Sequence, residues 1–158
     1  MDEIDVNQLN AMPPDMQARM IEASPFAKAM GIKLVSLTKA RALLSLAYQD
    51  KLIGNPLTRV VHGGGVTALL DHASGFAVFS ALEAPTSIAT LDMRIDYMRA
   101  AEPGETILAD AHCFKLTNSI AFVRGTAYHD TMDNPIATMV GTYMLASDAG
   151  RKPGANLK

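Results

Sequence analysis

Residues 62–82 read HGGGVTALLDHASGFAVFSAL, a glycine triplet followed by a near-unbroken apolar run. A run of this length reads as a helix rather than a strand, and a helix apolar on most sides is buried on most sides. Its middle carries Asp71 and His72, which speaks against a membrane span. An ionisable group inside such a helix needs partners or a task. The rest of the chain reads as material wrapped around this element.

The chain has 158 residues, enough for one domain with a real core. Its net charge of −2 leaves no electrostatic footprint for nucleic acid. One cysteine excludes an internal disulfide and fits a reducing cytoplasm. The opening MDEIDVNQLN is acidic and polar, unlike a secretory signal. A cytoplasmic protein that engages neither membrane nor nucleic acid is therefore expected. His112, Cys113 and His129 form no metal spacing, so no metal site is expected.

Read in order, residues 1–31 form an N-terminal arm and helix. Helical spacing runs from Asp15 to about Glu22, and a second turn starts at Ser24-Pro25 and ends at Gly31. Residues 32–38 and 41–48 read as a strand pair, and residues 49–61 as a loop leading into the glycines. Residues 88–98 alternate, with Leu91, Met93, Ile95 and Tyr97 on an apolar face and Thr90, Asp92, Arg94 and Asp96 on a polar one. Strands at 105–116, 119–130 and 135–146 follow. The short turns between these last four strands imply antiparallel neighbours. Residues 32–147 thus form one α+β domain, a long antiparallel sheet curled around a central helix. Residues 148–158 read as a flexible tail. A strand as regular as 88–98, left at an edge, would invite pairing with a second copy.

Three features could act together. Gly63-Gly64-Gly65 opens the helix, where free N–H groups and the helix dipole suit an anion or a polarised carbonyl oxygen. Asp71 is a carboxylate fit for general-base or nucleophilic work. Thr90 could orient a water or that carboxylate. Gly63 and Asp71 are separated by roughly 12 Å along the helix, at about 1.5 Å per residue. One carbonyl cannot touch both in one chain. Two such helices packed antiparallel about a two-fold axis would bring Gly63 of one subunit near Asp71 of the other. This predicts a homodimer with two shared sites.

The sequence His62-Gly63-Gly64, Asp71 nine positions after His62, and the strand TLDMRIDYMRAAEPGE at 90–105 carry a resemblance to the hotdog-fold acyl-CoA thioesterases. Specifically, the sequence resembles their phenylacetate-pathway-like (PaaI-like) branch, over roughly 32–146. The resemblance implies a hotdog fold, here with an extra N-terminal helix, and dimers that in many members pair into tetramers. It implies hydrolysis of acyl-CoA to free acid and coenzyme A, with coenzyme A as part of the substrate and no separate cofactor. It assigns the Gly63 N–H to the thioester carbonyl, and Asp71 of the partner chain to water activation or direct attack. It assigns Thr90 to placing the water and His62 to supporting the loop. Arg99 matches a region near the coenzyme A phosphates, and Gly64 belongs to the same substrate-binding set. Relatives often carry Asn or Gln six residues before the His, helping to hold the water or the thioester. Here that position is Pro56 and Asn55 precedes it, so a one-residue loop insertion would make Asn55 the substrate-binding candidate.

Two other readings compete. A non-catalytic acyl-CoA binding or sensing module on this fold would not need Asp71. A hotdog dehydratase or hydratase would need a histidine–acid spacing that the loop KLIGNPLTRVVH does not offer.

Overall fold

The computed structural model describes residues 23–84 and 86–146, together with Pro13, Arg19 and Met20. The expected helix at 15–22 and the tail from 148 fall largely outside these residues, although Arg19 and Met20 are helical. Helix α1 (Pro25–Met30) forms as its ends dictate. Ser24 Oγ accepts from the Ala27 N–H, Pro25 takes the first helical position, and Gly31 closes the helix in the left-handed conformation at φ 76°.

Strands β1 (Ile32–Thr38) and β2 (Arg41–Leu46) form a hairpin whose turn bends at Ala40, φ 62°. The long helix α2 (Gly63–Phe79) follows, then β3 (Ile88–Tyr97), β4 (Ile107–Leu116), β5 (Ile120–Tyr128) and β6 (Ala137–Leu145). All six strands join one antiparallel sheet in the order β1-β2-β4-β5-β6-β3. Helix α2 lies across the sheet, mainly against β4, β2 and β5. This is the hotdog architecture.

The core is the inner face of the sheet against α2. Val66, Leu69, Leu70, Ala73, Ala77 and Val78 are buried. Each buried Val or Leu contributes about 1.5–3 kcal/mol of transfer free energy. Burial of α2 is one-sided, however. Ala68, Asp71, His72, Gly75, Phe76 and Phe79 are only half-buried, so the helix is not enclosed all round within one chain.

Two sequence expectations are corrected here. β3 and β4 follow each other but are not neighbours, because among the described residues β3 pairs only with β6, at the sheet's edge. The link 98–106 carries the chain to the sheet's middle. It is anchored by His129, whose Nε2 accepts from the Glu102 N–H and whose Nδ1 faces the Thr106 carbonyl. The second correction concerns the faces of β3. The register against β6 shifts between Thr90 and Asp92, a β-bulge at Leu91. Thr90 pairs with Tyr143, and Met93, Ile95 and Tyr97 pair with Gly141, Met139 and Ala137. Directly paired residues share a face. Thr90 therefore lies on the same, helix-facing side as Met93, and not on the polar face with Asp92, Arg94 and Asp96. The extra residue also leaves Leu91 exposed rather than buried.

Candidate active site

The loop 50–61 brings the chain to α2 in a fixed geometry. It contains a 3-10 turn (Asp50–Leu52) and an isolated bridge between Ile53 and Val61. The His62 N–H donates to the Leu52 carbonyl at 2.7 Å. A side chain at Gly54 would meet the His62 backbone at 2.7 Å, so only glycine lets the two arms of the loop close.

His62 is the N-cap of α2, and its Nδ1 accepts from the Gly64 N–H at 2.9 Å. A ring nitrogen that accepts carries no proton, which puts the proton of the neutral imidazole on Nε2. The expected loop-supporting role of His62 thus takes the form of a helix cap. The same bond occupies the Gly64 N–H. The Gly65 N–H donates to the His62 carbonyl. Of the three glycine N–H groups, only that of Gly63 has no partner among the described residues. The Gly63 carbonyl accepts from the Tyr97 hydroxyl at 2.7 Å, and Thr67 Oγ1 lies 2.8 Å from that hydroxyl. β3 therefore fixes the first turn of α2, through a residue the sequence did not single out.

Further along α2, Asp71 is half-buried. Its Oδ1 accepts from Thr90 Oγ1 at 2.9 Å and from the Tyr143 hydroxyl at 3.1 Å. Of the two partners open to Thr90, a water or the carboxylate, the structure shows the carboxylate; Tyr143 is an addition. Burial, followed by the negative charge of Asp71, raises the Tyr143 phenol's pKa above the ordinary tyrosine value. The phenol stays protonated and donates.

Asp71, Thr90 and Tyr143 line a cavity of about 360 Å³. The rest of its wall is His72, Gly75, Phe76, Phe79, Ile88 and Met20. His72 faces Phe26 of α1, with ring centroids 6.0 Å apart. The space suits an apolar chain ending in one polar, reactive group.

The remaining sequence candidates lie elsewhere. Asn55 Oδ1 accepts from the Leu57 and Thr58 N–H groups and so turns its own loop. Arg99 donates to the Asn134 and Ala100 carbonyls, tying the link after β3 to the loop before β6. Neither contacts Asp71 or Gly63. Cys113 is buried, and burial raises its thiol pKa, as fits an inert core cysteine. Among the described residues, no helix is long and apolar enough to cross a membrane.

Comparison with known proteins matches residues 59–136 to the thioesterase superfamily. The chain is 30% identical over 134 residues to the medium/long-chain acyl-CoA thioesterase YigI of Escherichia coli, covering 77% of this chain and 85% of that one. A solved structure from Pseudomonas aeruginosa superposes with a TM-score of 0.74 at 35% identity, over 84% of this chain and 98% of that one. The Escherichia coli PaaI protein from the phenylacetic acid degradation operon shares the fold, with a TM-score of 0.73 at 20% identity over 85% and 94% of the two chains.

Proposed function

Because this chain belongs to the thioesterase superfamily, we propose that it hydrolyses acyl-CoA thioesters to the free acid and coenzyme A. One observation carries the reading. A lone carboxylate, held by two hydroxyls, lines a largely apolar cavity, on a helix whose first N–H has no partner among the described residues. The acyl chain lies along Phe76, Phe79 and Ile88. The Gly63 N–H, at the positive end of the helix dipole, stabilises the oxyanion that develops on the thioester carbonyl. Asp71 of a second chain delivers water to that carbonyl or attacks it.

Two features support the shared site: the separation of Gly63 from Asp71 along α2, and the open edge of β3. Leu91, Tyr97 and Met98 are exposed along that strand and its end. Pairing two β3 edges would continue the sheet and set the half-buried faces of the two α2 helices side by side. Assembly of such dimers into a tetramer is compatible with this arrangement. Among the substrate-binding candidates, the Gly64 N–H and Arg99 are already engaged. The Asn55 side-chain amide has no acceptor among the described residues, which favours Asn55 for holding the water or the thioester. Coenzyme A belongs to the substrate and no further cofactor is required. The cytoplasm, where acyl-CoA is available, is the compartment this reading calls for.

The test is thiol release from short, long and aromatic acyl-CoAs by the wild type and Asp71→Asn. Loss of a general base or nucleophile should lower kcat at least about a hundredfold. Full activity in Asp71→Asn would remove Asp71 from the mechanism. Tight acyl-CoA binding without turnover by the wild type would replace the enzyme with a binding module.

A further inference from the structure

Tyr143 sits on β6, 2% exposed, directly opposite Thr90 on β3. The two residues face the helix because the Leu91 bulge brings Thr90 to the inner side. Both hydroxyls converge on one oxygen of Asp71, Oδ1. The Tyr143 hydroxyl also lies 3.2 Å from the Asp71 backbone carbonyl. No described residue reaches Oδ2. A carboxylate with two donors on one oxygen cannot rotate without breaking both bonds, so its second oxygen has a fixed direction.

We infer that Tyr143 is a positioning residue: with Thr90 it pins Oδ1 of Asp71, so that Oδ2 is the oxygen presented to the substrate or its attacking water. This assignment rests on the proposed role of Asp71 as the reacting carboxylate. The geometry accounts for a hydroxyl at a buried position. A donor to the carboxylate also favours its charged form, which a base or nucleophile needs. His72 is the other titratable group lining the cavity. It is common to every variant below, so its contribution cancels in the comparison.

The experiment measures kcat, KM and the pH–rate profile of wild type, Tyr143→Phe, Thr90→Val and Asp71→Asn on one turned-over acyl-CoA. Tyr143→Phe should lower kcat about ten- to hundredfold, the range for one hydrogen bond to a charged group. Its KM should stay near that of the wild type. Its acid limb should move to higher pH, because the carboxylate loses a donor. A merely structural tyrosine would lower thermal stability without moving that limb. Replacement of Tyr143 alone by 3-fluorotyrosine keeps the ring and makes the phenol a stronger donor, so the limb should move to lower pH. This arm holds even if Tyr143→Phe fails to fold. An unmoved limb in the fluorinated enzyme, or wild-type kcat in a folded Tyr143→Phe, overturns the assignment while Asp71→Asn stays inactive. An active Asp71→Asn would instead bring down the role of Asp71 itself, whatever Tyr143→Phe does.

Discussion

The Tyr97 hydroxyl donates to the Gly63 carbonyl at 2.7 Å, joining the last residue of β3 to the first residue of α2. Thr67 completes the contact from the next turn of the helix, 2.8 Å from the same hydroxyl. The edge strand and the helix start therefore move as one body, and the Gly63 N–H keeps a fixed direction. Tyr97→Phe removes both bonds and keeps the ring. For partly exposed bonds the expected destabilisation is about 1 kcal/mol, or a fall in Tm of roughly 2–4 °C for a chain this size. Scanning calorimetry measures it. An unchanged Tm would mean that water replaces the hydroxyl at no loss.

Gly63→Pro tests the N–H alone. Position 63 is the first residue of the helix, where proline is tolerated, and His62 has the extended backbone, φ −62° and ψ 135°, that proline requires before it. The new Cβ would lie 3.3 Å from the Tyr97 hydroxyl, a tight fit that a small shift relieves. The variant should fold with a normal helical circular dichroism spectrum. Its kcat should fall about 10²–10³-fold, as for the loss of one oxyanion donor. Folded protein with near-normal kcat would transfer the oxyanion role to another group.

How far the sequence carried depended on the range of the interaction. The helix at 63–79 is legible from one apolar run, whereas chemical type leaves Thr90 open between a water and the Asp71 carboxylate. The bulge at Leu91 is not legible in the alternation of 91, 93, 95 and 97, which hides the change of phase before it. The signal was present: the inward apolar positions pass from Ile88, which is even, to Met93 and Ile95, which are odd. The placement of β3 beside β6 left no local trace, since pairing between strands far apart in sequence depends on the closed sheet. Tyr97 and Tyr143 were missed for the same reason. Each looks like an ordinary strand aromatic until its partner across the fold is known.

Gly141 pairs with Met93 just past the bulge, and a Cβ there would lie 2.9 Å from the Asp92 carbonyl oxygen. Backbone cannot swing aside as a side chain can. Gly141→Ala should push β3 outward and destabilise the protein by about 1–3 kcal/mol, the usual range for overpacking. Urea unfolding measures the change. Because Thr90 rides on the same strand, activity should fall as well. Wild-type stability would show that β3 has room to yield.

On the outer face of the sheet, His112 lies between Arg41 and Arg124 in the paired register. Burial first, then the two guanidinium groups, lower its pKa below 6.5, with Asp110 opposing in part. The unfolded chain therefore takes up the proton before the folded one does as pH falls. The contribution of His112 to stability is full above about pH 7 and declines as pH drops through the unfolded value near 6.5. His112→Gln cannot take up that proton, so its Tm should fall less between pH 7.5 and 5.5 than that of the wild type. Parallel Tm curves for the two proteins would mean that the histidine is equally easy to protonate in both states.

The strongest test of a site built from two chains is complementation. Asp71→Asn leaves every subunit with a working helix start and no carboxylate. Gly63→Pro leaves the carboxylate and removes the N–H. If Gly63 and Asp71 act across a two-fold axis, each homodimer is inactive at both sites. A mixed dimer has one site carrying both changes and one site that is wild type. Random reassortment makes half of the dimers mixed, so activity should recover to about a quarter of the wild-type value after co-refolding. A site contained in one chain gives no recovery, because every subunit then carries a broken site whatever its neighbour. The recovered activity should also disappear on dilution below the dimer's dissociation constant, whereas activity housed in single chains would persist.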